Sequence, residues 1–201
     1  MAFNINEIRS NLALGGQRPT LFQVEMTNPA NSAGDIKTPF LVRASQVPAS
    51  TLGFIEIPYF GRKVKIAGDR TFAEWNVTVM NDEDFLIRNA IEEWMNEINS
   101  HLGNVRGFGS AADLNYKSTA EVTQFSKTGV PLRKYKFNGI FPVNLTEMEV
   151  DWNATDLIQE FQVTFQYDWW EVSGGSTGPV SYTHLRAHET KANLVCRLLL
   201  E

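Results

Sequence analysis

The side chains best suited to nucleophilic or metal chemistry crowd one end of this chain. Cys196 is its single cysteine, and His184 and His188 are two of its three histidines. A thiolate beside an imidazole could serve as a nucleophile or a soft-metal ligand. These residues fall in a stretch that does not read as evolved protein. The run VSYTHLRAHET from Val180 to Thr190 back-translates, with one codon choice, to a transposase sequencing adapter in frame. The run NLVCRLLLE from Asn193 to Glu201 back-translates to the far end of the same adapter, and the gap between them has the length of a sample index. Residues 179–201 are therefore expected to be a non-native tail, with the encoded protein reaching about Gly178, and no chemistry is assigned to them.

The remaining candidates are weaker. His101 sits beside Gly103 where an amphipathic stretch ends, and a cation at a helix C-terminus accounts for it. Without the tail the chain has no cysteine, which rules out disulfides, thiolate chemistry and cysteine-ligated zinc. Paired acids at Asp82-Glu83-Asp84, Glu92-Glu93 and Glu147/Glu149 have the residue types of a two-carboxylate glycosidase. A helix dipole, a solvated helix face and the outer face of a strand explain them in turn. Gly107-Phe-Gly109 lacks the third glycine and the strand-to-helix setting of a dinucleotide loop. In Arg133 to Phe137 the alternation turns Tyr135 and Phe137 inward and Lys134 and Lys136 outward, as in any strand, so base stacking is not required. The sequons at Asn76, Asn144 and Asn153 matter only on a secretory route, and MAFNINEIRS has no signal-peptide pattern. No catalytic, cofactor-binding or metal residue is expected, and the chain is not expected to be an enzyme.

The elements that would position any site are mainly strands. The chain has 201 residues, 43% hydrophobic and 20% charged, with 18 Lys plus Arg against 23 Asp plus Glu. Removing the tail takes away three basic and two acidic residues and leaves a net charge of −6, which disfavours a general polyanion-binding surface. No stretch approaches the roughly 18 apolar residues of a spanning helix, so no membrane partner is expected. Period-two alternation predicts strands at TLFQVEMT, PFLVRAS, FIEIPYF, RKVKIAG, FAEWNVTVM, STAEVTQFS, LRKYKFNGIFPV, LTEMEVDW and LIQEFQVTFQYDWW. In the last, Phe161, Val163, Phe165, Tyr167 and Trp169 share one face. Gly61 marks a hairpin turn, and Gly68-Asp69-Arg70 reads as another turn. One helix is predicted over Asn81 to Leu102, with Asn81 as N-cap and Ile87, Ile91, Trp94, Met95, Ile98 and Leu102 on one stripe.

The order of these pieces is recognisable. RPTLFQVEM, a strand ending VRASQVP, IPYFGRKVKIAGDRTFAEWNVTVMND running into the helix, and the close FNGIFPVNLTEMEVDWNATDLIQEFQVTFQYDWWE together resemble the tail tube proteins of contractile-tailed phages, from about Arg18 to Glu171. The resemblance implies a mainly β (α+β) fold, a β-sandwich or barrel-like core with one flanking amphipathic helix, and the boundary of the tail makes 1–178 the expected single domain. It implies hexameric rings stacked into a hollow tube, a homo-oligomer assembled in the host cytoplasm and carried in the virion. Its partners would be the sheath, baseplate and terminator proteins, with double-stranded DNA passing through without specific binding. Tubes of type VI secretion and of phage-derived injection devices share the implied fold and are alternatives. A monomeric ligand-binding β-barrel is another, marked by an apolar interior cavity.

Within that frame, the hairpin from Phe54 to Gly68 is expected to be an assembly element. Phe54, Ile55, Ile57, Tyr59 and Phe60 mix with Arg62, Lys63 and Lys65, a composition suited to a neighbouring subunit. A DNA conduit also favours an acidic or neutral wall, since a basic one would hold phosphates. Glu56, Glu147, Glu149 and Asp151 alternate with apolar residues and are the expected lumen-facing acids. A chain ending at Gly178 is expected to melt within a few degrees of the full chain and to assemble like it; a larger drop by calorimetry would place native residues in the tail.

Overall fold

Alternating strands build the walls of the molecule. The computed structural model describes residues 5–12, 16–107 and 115–173; the expected tail, Phe108 and Gly109 lie outside them. The described elements are α1 (Ile5–Asn11), β1 (Phe22–Met26), α2 (Thr38–Leu41), β2 (Val42–Ser45), β3 (Ser50–Tyr59), β4 (Arg62–Phe72), β5 (Trp75–Met80), α3 (Leu86–Ile98), β6 (Ser118–Phe125), β7 (Pro131–Leu145), β8 (Glu160–Gln166) and β9 (Trp169–Ser173). Seven strands form one antiparallel sheet in the order β1-β6-β7-β8-β5-β2, with β9 also pairing β7, while β3 and β4 form a separate two-stranded ribbon. The sheet curls until its ends, β1 and β2, approach one another, a barrel-like sandwich. No helix among the described residues is long and apolar enough to cross a membrane.

The sheet can double over because β7 serves both of its halves. Residues up to Ile140 pair with β6 and β9, and residues from Phe141 pair with β8. Gly139 lies at this passage with φ +70, a conformation that side chains rarely adopt. The chain turns a second corner beside it, where Asp168 N–H donates to the Asn138 carbonyl at 3.0 Å. A Cβ at Gly139 would overlap the Asp168 carboxylate, which Lys117 Nζ holds at 2.7 Å. This corner divides the predicted strand LIQEFQVTFQYDWW. Phe161, Val163, Phe165 and Tyr167 face the core as expected, but the corner reverses the parity. Trp170 consequently packs against the core while Trp169 is exposed.

Inside, rings form a continuous chain. Tyr167 meets Phe137 edge-on at 5.0 Å, Phe137 stacks on Trp75 at 4.4 Å, Trp75 meets Phe165 at 5.4 Å, and Phe165 meets Trp94 at 6.3 Å. Both buried indoles are satisfied: Trp75 Nε1 donates to the Gln46 carbonyl at 3.0 Å and Trp94 Nε1 to the Tyr116 carbonyl at 2.8 Å. The apolar cavity among Val24, Val42, Trp75, Val77, Ile91 and Phe165 has about 10 Å³, far below the roughly 300 Å³ of a small ligand site. That interior does not suit the ligand-binding barrel.

Helix α3 closes the sandwich with Ile87, Ala90, Ile91 and Trp94 buried and Met95 and Ile98 half-buried against the core. It is shorter than predicted, and Leu102 is fully exposed beyond it. Its N-cap is Phe85, in the left-handed region at φ 53, and not Asn81. The acids ahead of it bind elsewhere: Lys37 Nζ bridges Asp82, at 2.6 Å, and Asp84. This ammonium, with the Leu86 N–H, lowers the Asp84 carboxyl from its usual range, and the two carboxylates raise Lys37. Buried Asn28 ties the helix to the loop after β1, donating to the Ala90 carbonyl at 2.8 Å and accepting from Ala30 N–H at 2.9 Å.

Other departures are local. Pro39 starts the short α2, so Phe40 lies outside on a helical turn and not on a strand face with Val42 and Ala44. Gly68-Asp69-Arg70 is part of β4, not a turn, and LTEMEVDW after Leu145 is an irregular connection. Gly139→Ala should destabilise the chain by at least about 1–2 kcal/mol, the cost of a left-handed conformation plus displacement of Asp168, read from the urea midpoint. An unchanged midpoint would show that the corner is not strained.

Candidate assembly interface

The ribbon of β3 and β4 has almost no interior to lean on. Its register pairs Ile55 with Ile66, Ile57 with Val64 and Tyr59 with Arg62 on one face, and Phe54 with Ala67, Glu56 with Lys65 and Pro58 with Lys63 on the other. The first face is aliphatic and aromatic, yet Ile55 is 58% exposed and Val64 52%. The second is mixed. Glu56 reaches Lys63 at 2.6 Å and Lys65 at 3.8 Å, and the Lys65 ammonium lies 5.0 Å from the centre of the Phe54 ring. An isolated two-stranded ribbon is marginal in water, and a contiguous exposed apolar face marks an interaction site.

Two devices shape this arm. At its base the register shifts between Leu52 and Phe54, so Gly53 opposes Gly68 and Asp69. A Cβ on Gly53 would sit 3.2 Å from the Asp69 carbonyl oxygen and one on Gly68 the same distance from the Gly53 carbonyl carbon, so glycines permit the bulge. At its tip Phe60 and Gly61 both have positive φ, 42 and 77, as a two-residue hairpin turn of right-handed strands demands. Glycine adopts this freely and phenylalanine does not. Phe60 is nonetheless there, 91% exposed and edge-on to Tyr59 at 4.7 Å.

A second exposed surface lies on the connection from β7 to β8. Thr146 and Gln159 anchor it: Thr146 Oγ1 accepts from Gln162 N–H at 2.9 Å, and the Gln159 carbonyl accepts from Asn81 N–H at 2.8 Å. Met148 is half-buried against the core. Between the anchors the connection is bare, with Val150 88% and Trp152 99% exposed and Leu157 and Ile158 also open. Its charges are Glu147, Glu149, Asp151 and Asp156, without a single base.

Neither surface resembles a catalytic cleft. Exposed His101 meets Asn96 Oδ1 at 3.0 Å, and no group of three or more His, Cys, Asp or Glu among the described residues could hold a metal. The family model described as phage tail tube protein matches residues 17–173. The chain belongs to the phage tail tube protein family. The tail tube protein gp19 of Enterobacteria phage T4 is 36% identical over 155 residues, covering 77% of this chain and 90% of gp19. The tail tube protein of Serratia phage KSP90 is 26% identical over 168 residues, 81% of this chain and 93% of that one. Among solved structures, the tube-terminating cap of the anti-feeding prophage aligns with TM-score 0.58 and 17% identity over 79% of this chain and 91% of that one. A chain of the sheath-tube complex of an extracellular contractile injection system aligns with TM-score 0.52 and 16% identity over 87% of this chain and 100% of its own length. The tail tube fold is therefore common to phage tails and contractile injection systems.

On this tail tube protein the expected assembly residues do converge. Phe54, Ile55, Ile57, Tyr59, Phe60, Arg62, Lys63 and Lys65 all lie on the arm and all are exposed. The four expected lumen acids do not. Glu56 is an ion-paired member of the arm, and Glu147, Glu149 and Asp151 lie on the irregular connection, where strand alternation cannot orient them. Val64, Ile66 and Trp152 extend the exposed surfaces beyond the sequence-based set; a tryptophan isolated among acids in EVDWNATD was the available signal for the last. Phe60→Gly relieves the turn and removes no core contact, so the folded monomer should melt within a few degrees of the parent, or slightly higher. A fall of more than about 2 kcal/mol in stability would place Phe60 in the core's support.

Proposed function

We propose that the chain is the structural subunit of a hollow tube, made of hexameric rings stacked inside a contractile sheath, through which double-stranded DNA leaves the particle. The exposed arm carries this reading: a chain with a filled core keeps three isoleucines and a valine of one ribbon face in water, where assembly would cover them. Burying each such side chain contributes roughly 1.5–3 kcal/mol, so the aliphatic face is enough to drive association. The names of the relatives support the tube, since T4 gp19 is itself a tail tube protein. A structural relative with 10% identity and TM-score 0.57 comes from the 6-fold symmetrised anti-feeding prophage baseplate, in keeping with hexameric rings. The sheath would surround the tube, baseplate and terminator proteins would cap it, and the subunit would be made in the host cytoplasm and carried in the virion. Its role is structural, with no catalytic step assigned. The region 1–178 acts as one domain, and residues 179–201 add nothing to it. Passage of DNA needs a wall that does not grip phosphate, and the chain's excess of acidic over basic residues suits such a wall.

Electron microscopy of the purified chain tests the proposal directly. Rings and stacked tubes are expected from the parent. Replacing Ile55, Ile57, Val64 and Ile66 with threonine keeps β-branching and should leave a folded monomer that forms neither. Tubes of normal length from that variant would remove the arm from assembly, and a parent that stays monomeric at every concentration would overturn the tube itself.

A further inference from the structure

We infer that the mixed face of the arm is a socket for the acidic connection between β7 and β8 of a neighbouring copy, a head-to-tail contact that rests on the tube reading. The two surfaces complement each other in kind. With Arg62 on the opposite face, the arm from Ser50 to Phe72 still carries Lys63, Lys65 and Arg70 against Glu56 and Asp69, and the connection carries four acids and no base. Each surface also presents exposed apolar groups, Phe54 and Pro58 on the arm and Val150, Trp152, Leu157 and Ile158 on the connection. An indole that is 99% exposed finds two ammonium groups and a phenyl ring on that face, a setting for cation–π contact.

The two surfaces lie on different parts of one chain, so the contact is heterologous. Each subunit offers a socket and a plug, and association continues from copy to copy, as rings and stacks require. In the free chain Glu56 occupies the socket. It is the intrachain partner of both Lys63 and Lys65 and stands in for the acids of the neighbour. Glu56 thus offsets part of the charge of the lysine-bearing face until a second copy arrives. Glu56 then becomes a like charge to the incoming carboxylates, which restrains premature association.

Charge swaps in the full chain test this, read by sedimentation and electron microscopy. Lys63→Glu with Lys65→Glu, and separately Glu149→Lys with Asp151→Lys, should each raise the concentration needed for half-assembly by about tenfold or more. Mixing the two variants should restore tubes, because each then offers what the other lacks, and so should a chain carrying all four changes. Glu56→Gln should lower the half-assembly concentration, a gain that misfolding cannot imitate. Trp152 fluorescence should shift to shorter wavelength on assembly, with Trp152→Phe as control. The inference fails if the reversed variants assemble like the parent, if neither the mixture nor the fourfold variant recovers, or if Glu56→Gln has no effect. Normal tubes from Glu149→Lys with Asp151→Lys that retain DNA would overturn it in favour of a lumen position. A parent that never assembles would sink the tube reading first.

Discussion

The ring contacts from Tyr167 through Phe137, Trp75 and Phe165 to Trp94 are the interaction on which the rest of the fold depends. They join β5 and α3 to β7 and β8, strands that come much later in the sequence, and each ring packs against the next. Buried rings of this size contribute more than their area alone, and truncating one costs about 3–5 kcal/mol. The indole donors extend the same network into backbone, because Trp75 holds the chain entering β3 and Trp94 holds the chain entering β6. The base of the arm is therefore positioned by the core, although the arm contributes little to it.

That division of labour explains how one chain can be both folded and unfinished. The sandwich is filled: its central cavity has no room for a ligand, and its solvated strand faces carry ion pairs such as Glu121 with Lys134. Much of the apolar surface left over lies on the arm and on the connection after β7, with single exposed residues such as Phe40, Leu102 and Trp169 elsewhere. The first is carried on paired strands, the second is tethered at Thr146 and Gln159. Groups held this way lose less conformational freedom on docking than groups on a loose tail.

Much of this was legible in the sequence, for one reason. A half-buried strand must alternate, so TLFQVEMT, FAEWNVTVM and STAEVTQFS each disclose which residues face the core. The same signal misleads where burial is absent. LTEMEVDW alternates as cleanly, but the ladder of β7 with β8 ends at Leu145 and Val163, and the residues beyond leave the sheet without a strand partner among the described residues. FIEIPYF alternates too, and its isoleucines face water. Alternation reports a two-sided strand and is silent about what covers either side. The corner at Gly139 and Asp168 was hidden because it depends on a contact between residues far apart in sequence, and the late start of α3, at Phe85, because Lys37 claims the acids that would otherwise start the helix. The family resemblance carried the functional reading further than any single motif, since no motif for chemistry was there to read.

Pro58 has a further consequence, at the level of solubility. In a two-residue hairpin the closing pair, here Tyr59 and Arg62, bonds inward, so the next pair, Pro58 and Lys63, turns its backbone groups toward the free edges. Proline has no amide hydrogen to offer there, and a lysine guards the opposite edge. A long, flat, apolar ribbon is otherwise a template for strand-upon-strand fibres, the standing hazard of a protein that must accumulate in many copies before use. The missing donor and the charge opposite it leave side-chain docking as the open route and make uncontrolled edge growth unfavourable at the arm's most exposed end.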